Sequence, residues 1–161
     1  MDRKRIAVGI VFVALTMATG VGTAAASDQS AVMASVQQFI DAYNRADFTA
    51  AARTCASPAT VVDEFAPHIW TGPTACADWG KAYQQNAKQF HITRGAVTAG
   101  KPWQLVIDGD RAYVVLPVQF HWLQDGKPAA EPSSVYTLVL GKKSSGWRIM
   151  AWTWSEHVVE Q

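Results

Sequence analysis

The chain contains few side chains whose type and spacing could support catalysis or metal binding. None of its four histidines stands two or four residues from another, so we predict no metal site. It has neither a G-x-S-x-G segment for a serine nucleophile nor a glycine-rich phosphate loop, and we expect no cofactor. The remaining candidates are Asp63, which ends a β-branched segment, His68 shortly after it, and the cysteines Cys55 and Cys76.

The first 26 residues have the composition of an export signal. A basic segment precedes an apolar run over residues 6–15, and a run of small residues ends at Ala26, as a signal peptidase requires. We therefore predict that residues 1–26 are a signal peptide cleaved after Ala26, and that the protein is secreted or periplasmic. Residues 27–161 would then form one domain. The alternative is an uncleaved anchor, since the same segment could nearly span a bilayer.

The predicted mature chain is almost neutral, which excludes two classes of partner. Of the 14 basic and 13 acidic residues, three basic and one acidic residue lie in the signal segment, which leaves 11 against 12. Without a basic surface we expect no nucleic-acid partner and, after signal cleavage, no attachment to a membrane. Hydrophobic residues make up 49% of the chain, too many for a disordered protein.

The two cysteines are predicted to form a disulfide. Both follow the export signal, and an even number of cysteines in an oxidising compartment favours pairing. Closing the loop between Cys55 and Cys76 would contribute about 3 kcal/mol by the chain-entropy model. The alternative is a pair of buried thiols that act as small apolar side chains.

Three helices are predicted from the spacing of apolar residues. Residues 32–43 carry them at intervals of three and four, which places them on one helix face. Asp47 is suited to cap a short alanine-rich helix from Phe48 to about Cys55, which Ser57-Pro58 would end. A third helix is expected over residues 73–90, with a proline at its first position.

Extended segments account for most of the remaining chain. Two short ones precede the third helix, and four follow it, separated by turn signals such as Asp125-Gly126. The predicted strands are 60–63, 68–70, 103–107, 111–123, 134–140 and 146–157. Two helices, a strand, a helix and then a meander predict an α+β fold in which three helices pack on a curved antiparallel sheet.

Five short segments, in this order and at these spacings, resemble the SnoaL-like and ketosteroid-isomerase-like branch of the nuclear-transport-factor-2-like superfamily. They are Phe39–Asp47, Ala59–Asp63, Trp70–Pro73, Gly109–Tyr113 and Gly146–Ile149, and the resemblance covers about residues 31–157. It implies a cone of curved sheet closed by helices, with a small-molecule pocket at the open end. Because this fold hosts isomerases, dehydratases and non-catalytic modules, it does not select a function.

The resemblance also implies a role for Asp63. This residue matches the aspartate with which ketosteroid isomerases move a proton next to a carbonyl group. Their donor tyrosine falls on Phe39, which cannot donate a hydrogen bond, and their second donor falls near Tyr136, so we expect no steroid isomerase activity. A dehydratase would pair a histidine with Asp63, and His68 is the nearest. The alternatives are a turn aspartate that accepts backbone N–H groups and a surface histidine.

Aromatic residues supply both a predicted pocket and a predicted interface. The residues expected by analogy to line an apolar pocket are Phe39, Phe65, Trp70 and Trp122. Trp152 and Trp154 share one side of the last strand, which we place on the outer face of the sheet. A homodimer partner or the chain's own loops would cover them there.

Three functions are compatible with these features. The first is an exported binding protein whose apolar pocket holds a small molecule, with catalysis not established. The second is an isomerase or lyase with Asp63 as general base, Tyr136 as hydrogen-bond donor and His68 as a further candidate. The third is a protein-assembly module. The missing donor at Phe39 favours the non-catalytic functions.

Overall fold

The computed structural model describes residues 21–156, with side chains described from residue 26 onward. Residues 1–20, which hold most of the predicted signal peptide, and residues 157–161, which include His157, lie outside the described part. The elements in chain order are α1 (Val21–Asn44), α2 (Phe48–Arg53), β1 (Cys55–Val62), β2 (Ile69–Gly72), α3 (Ala75–Gln89), β3 (Ile92–Ala99), β4 (Gln104–Asp108), β5 (Arg111–Gln124), β6 (Lys127–Lys143) and β7 (Gly146–Glu156). The predicted α+β class is confirmed.

The strands form one sheet in the order β2-β1-β7-β6-β5-β3, and β4 pairs with the first part of β5. Every pairing is antiparallel except that of β1 with β7, which is parallel and makes the sheet mixed. The predicted antiparallel sheet needs this correction, because no hairpin turn joins β1 to β7 and sets their direction. Register shifts interrupt four of the pairings and bend the strands, so the sheet is curved.

Helix α1 buries the face that its apolar spacing predicts. Five side chains on that face are at most 7% exposed: Val32, Val36, Phe39, Ile40 and Tyr43. They belong to a core that includes the inward-facing leucines and valines of β5 and β6. No helix within residues 21–156 has the length and apolar character that a bilayer crossing requires.

Helix α2 ends two residues earlier than predicted. It stops at Arg53, with Thr54 as its C-cap, because Cys55 already pairs with β7 as the first residue of β1. The Ser57-Pro58 pair therefore lies within β1 instead of ending a helix. The β1 strand is consequently longer than the four residues that its β-branched composition indicates.

The predicted disulfide between Cys55 and Cys76 is present. It joins the first residue of β1 to the first turn of α3, which begins at Ala75 instead of the predicted Pro73. This crosslink fixes the helix against the strand. Both elements position side chains of the candidate site.

We expect Asp47→Ala to lower the free energy of unfolding by about 1 kcal/mol, measured by urea denaturation. The Asp47 carboxylate accepts a hydrogen bond from the backbone N–H of Ala50 at 2.8 Å, which satisfies one unpaired donor of α2. Asp47→Asn retains an acceptor oxygen and should stay within a few tenths of a kcal/mol of the wild type. If both variants lost the same free energy of unfolding, the loss would not come from the capping hydrogen bond.

Candidate functional site

A cavity of about 320 Å³ lies between the helices and the concave side of the sheet. Most of the residues that line it are aromatic. The helical wall carries Phe39 and Tyr43 on α1 and Trp79 and Tyr83 on α3. Each pair is spaced by four residues, which places both rings on one helix face. The rings contact across the two helices, with centroids 5.9 Å apart for Phe39 and Trp79 and 5.2 Å for Tyr43 and Tyr83.

The sheet wall carries five further aromatic side chains, from three neighbouring strands. They are Phe120 and Trp122 on β5, Tyr136 on β6, and Trp152 and Trp154 on β7. The two residues on β5 lie two positions apart, as do the two on β7, and Tyr136 is paired with Trp154 on the neighbouring strand. The five side chains therefore share one face of the sheet. The two walls therefore enclose a space that is mainly apolar and bounded by flat rings.

Trp152 and Trp154 line this cavity, so their predicted position on the outer face is wrong. Trp152 is 3% exposed, and its ring lies 4.8 Å from that of Trp79. The cause is a bulge at Met150, where the β6–β7 register passes from Ile149 directly to Ala151. One extra residue reverses the alternation of side chains, so both tryptophans point to the same side as the residues that precede the bulge.

Asp63 follows the last residue of β1 and lines the cavity. One carboxylate oxygen accepts a hydrogen bond from the indole N–H of Trp79 at 2.7 Å, and the other accepts one from the backbone N–H of Glu64 at 2.7 Å. Burial raises the pKa of Asp63 to about 6, against the lowering effect of these two bonds. The residue thus accepts the backbone bond of a turn and also presents a weakly acidic carboxyl group to the cavity.

Tyr136 lines the same cavity and is 2% exposed. Its hydroxyl has no hydrogen-bond partner within the described residues, and the same is true of the indole N–H groups of Trp122 and Trp152. Burial, together with the charge of Asp63, raises the pKa of the Tyr136 hydroxyl, which therefore stays protonated. Buried polar groups are normally paired, so three unpaired donors among the residues that line one cavity are unusual.

We expect Tyr136→Phe to raise the free energy of unfolding by up to about 1 kcal/mol, because it removes a buried hydroxyl that has no partner. Thr54→Val serves as the matched control, since the buried Thr54 hydroxyl donates to the backbone oxygen of Ala51 at 2.7 Å. That variant should lose about 1 kcal/mol in the same urea titration. A loss of similar size in Tyr136→Phe would mean that its hydroxyl is paired inside the protein.

Of the other predicted site residues, some line the cavity and some do not. Phe39, Phe65 and Trp122 line the cavity, whereas Trp70 packs behind Phe65, with ring centroids 5.2 Å apart, and is not part of the lining. His68 is exposed in the turn between β1 and β2 and lies outside the lining. Its ring Nδ1 is 3.3 Å from the backbone oxygen of Asp63, not from the carboxylate.

Three glutamates at one end of the cavity carry no signal in the sequence. Carboxylate oxygens of Glu64, Glu131 and Glu156 lie within 4.8 Å of one another, and Glu64 and Glu131 line the cavity. Glu131 accepts hydrogen bonds from the indole N–H of Trp154 at 3.0 Å and the hydroxyl of Ser134 at 3.1 Å. Burial and the neighbouring glutamates raise the pKa of Glu131. Among the described residues, this is the group whose spacing could hold a metal ion, although protein donors already occupy two of its carboxylates.

The fold is shared with many solved structures. Examples are an NTF2-like superfamily protein from Salmonella enterica (12% identity, TM-score 0.70, covering 85% of this chain and 96% of that chain), a ketosteroid isomerase-like protein from Erwinia carotovora atroseptica (18%, 0.62, 82% and 98%), and a proposed dehydratase of the NTF2-like family from Streptomyces avermitilis (14%, 0.71, 83% and 99%). At these identities the similarity shows the fold alone.

The family is shown by sequence. The family model of the SnoaL-like domain matches residues 32–159, which is most of the chain. The chain therefore belongs to the SnoaL-like domain family, as its sequence motifs indicate. A comparison with curated proteins gives no match.

Proposed function

We propose that the protein binds a small, largely apolar molecule with a flat ring system and at least one hydrogen-bond acceptor. The observation that carries this proposal is the set of unpaired donors on Tyr136, Trp122 and Trp152 around a cavity of about 320 Å³. Apolar pockets with a few convergent polar groups are typical ligand sites. A bound acceptor atom would pair a donor that the protein alone leaves unsatisfied.

Two neutral probes of similar shape test this proposal. We expect 1-acetylnaphthalene, which has a carbonyl acceptor, to quench the tryptophan fluorescence of the cavity and to bind more tightly than 1-ethylnaphthalene. Tyr136→Phe should weaken binding of the ketone about fivefold or more and leave the hydrocarbon unchanged. Trp103→Ala removes an exposed tryptophan outside the cavity and should affect neither probe. Failure of both probes to bind would contradict the proposal.

A second candidate function is proton transfer at a carbon next to a carbonyl group. It is favoured by Asp63, a half-buried carboxyl group with a pKa raised to about 6, which lines the same cavity as Tyr136. The carboxylate would take the proton, and Tyr136 would donate a hydrogen bond to the developing enolate oxygen. Returning the proton to another carbon gives an isomerase, and expelling a β-substituent gives a lyase. Similar structures include proteins named as ketosteroid isomerase-like and as a proposed dehydratase.

Deuterium exchange tests this candidate. NMR in D₂O follows exchange at the α-carbon of unsaturated ketones and β-hydroxy carbonyl compounds, and Asp63→Asn should lower the rate by a factor of about 100 to 10,000. The binding of 1-acetylnaphthalene checks that the variant still has a formed cavity. If wild type and Asp63→Asn exchange every compound at the same rate, the enzyme proposal fails and the binding proposal stands. His68, which is exposed outside the cavity, has no role in this candidate.

The predicted export remains a proposal that is supported by the sequence of residues 1–26. Expression in a bacterial host with an intact secretion system, followed by N-terminal sequencing of the exported protein, should give a chain that begins at Ser27. An uncleaved chain in the membrane fraction would favour the anchor alternative.

The homodimer also remains a proposal, but on a different surface. With Trp152 and Trp154 inside the cavity, neither a dimer nor an assembly module can rely on them. A second copy could cover Val106 and Tyr113, whose exposed fractions are 48% and 41%. Val106 and Tyr113 are paired on neighbouring strands, so they form one patch. Light scattering should give twice the chain mass for wild type and the chain mass for Tyr113→Lys. A wild-type monomer at all concentrations would contradict the dimer.

A further inference from the structure

Among the residues that the structure describes, the charged ones that line the cavity are all acidic. Asp63, Glu64 and Glu131 contribute carboxylates, and no lysine, arginine or histidine between residues 26 and 156 belongs to the lining. Glu156 adds a fourth carboxylate beside Glu64 and Glu131. At pH 8 Asp63 is ionised, since its pKa is about 6. A ligand therefore meets a negative potential along one side of an otherwise apolar space.

These carboxylates have no cationic partner within the described residues. The four ion pairs in this part of the chain join other groups: Lys81 to Asp78, His91 to Asp125, Arg111 to Asp110 and Lys142 to Asp28. Neutral indole N–H groups donate to Asp63 and Glu131 instead. A neutral donor orients a carboxylate without cancelling its charge, so the negative potential at the cavity persists.

The aromatic walls favour the same ligand charge. The faces of tryptophan, tyrosine and phenylalanine rings attract cations, and the effect grows when the cation is removed from water. Trp154 lines the cavity beside Glu131, to which its indole N–H donates at 3.0 Å. A cation at this end could therefore contact both a carboxylate and a ring face. The buried, unpaired Tyr136 hydroxyl lies among the same lining residues and independently indicates a ligand.

We infer that the preferred ligand carries a protonated amine in addition to the hydrogen-bond acceptor of the proposed function. Its ammonium group would lie between Glu64 and Glu131, and its apolar part would lie among the aromatic rings. This inference rests on the proposed function of the cavity as a small-molecule site. Glu64 is exposed and Glu131 is half-buried, so the ammonium group would remain near solvent while its apolar part enters. Anionic ligands of the same size would be rejected.

Three probes that share one ring system test the inference at pH 8 and low salt. They are 1-naphthylmethylammonium, 1-naphthylmethanol and 1-naphthoate, which are cationic, neutral and anionic. Tryptophan fluorescence titration should give at least tenfold tighter binding of the ammonium compound than of the alcohol, and weaker binding of the carboxylate. The preference for the cation should decrease with added salt, because the interaction is electrostatic.

Two substitutions locate the effect. Glu131→Gln removes one charge but keeps an oxygen that can accept from Trp154, so it should reduce the preference for the ammonium compound about fivefold and leave the alcohol unchanged. Asp108→Asn, an exposed acid outside the lining, should change neither. Equal binding of the ammonium compound and the alcohol, or a preference that Glu131→Gln does not alter, would overturn the inference and leave the binding proposal intact. If none of the three probes binds, the proposed function itself fails.

Discussion

Replacement of Trp79 by alanine is expected to destabilise the protein by about 5 kcal/mol. The side chain is 4% exposed and packs against five other aromatic rings, of which Trp152 is the nearest at 4.8 Å between centroids. Truncation would leave a large void at the centre of the helical wall. It would also remove the indole N–H that donates to Asp63 at 2.7 Å, which leaves a half-buried carboxylate with one donor fewer.

Because a loss of that size could unfold the protein, Trp79→Phe provides a second measurement. Phenylalanine keeps an aromatic ring but has no N–H, so about 3 kcal/mol should be lost in urea denaturation at pH 7. The same substitution in an Asp63→Asn background should cost less, because the charge that needs the donor is gone. Trp103→Ala, at a residue 67% exposed, should change stability by at most about 0.5 kcal/mol. Equal costs of Trp79→Phe in the two backgrounds would show that the indole N–H does not stabilise Asp63.

Local sequence patterns predict most of the secondary structure because they record which face of an element is buried. The intervals of three and four in α1 identify its core face, and alternation in β5 identifies the inward side of the sheet. The sequence contains no comparable pattern that shows which distant strands pair with each other. The parallel pairing of β1 with β7 depends on how the sheet assembles around the helices, so a predicted meander cannot reveal it.

The bulge at Met150 shows why the site was less predictable than the fold. Strict alternation carries Trp147 inward and therefore Trp152 outward, whereas the structure buries both. One additional residue in the strand moves every later side chain to the other face of the sheet. Neither Met150 nor its neighbours in the sequence mark the position as a bulge. Trp152 and Trp154, which strict alternation predicts at an interface, therefore line the cavity.

Interactions between distant residues could not be predicted in the same way. Asp63 and Tyr136 were found through the resemblance, and both line the cavity. The pairing of Asp63 with Trp79, and of Glu131 with Trp154, joins residues 16 and 23 positions apart through tertiary packing. Nothing in the residue types alone selects these tryptophans as the donors. Nearness in sequence misleads in the case of His68, which contacts the backbone of Asp63 and not its carboxylate.

Asp63→Asn is expected to abolish a pH dependence of stability that amounts to about 3 kcal/mol in the wild type. Burial raises the pKa of Asp63 from 3.8 to about 6, so between these values the folded protein binds more protons than the unfolded chain. The free energy of unfolding therefore falls as the pH rises from about 4 to about 6. Below this pH window the stabilisation that protonated Asp63 provides is fully present. Above the window Asp63 is ionised in both states, and the free energy of unfolding has fallen by the full amount.

Urea denaturation at several pH values between 3.5 and 7.5 (a range of about four units) measures this effect as the difference between wild type and Asp63→Asn. Glu131 lies near Asp63 and its pKa is also raised, so the same comparison in a Glu131→Gln background isolates the contribution of Asp63. Asp108→Asn, at an exposed carboxylate, should change the free energy of unfolding at pH 7 by at most about 0.5 kcal/mol. A flat difference for Asp63→Asn would mean that burial does not hold back its ionisation. The cavity would then lack a base with a pKa near neutrality, and the proton-transfer proposal would lose its main support, whereas the binding proposal would be unaffected.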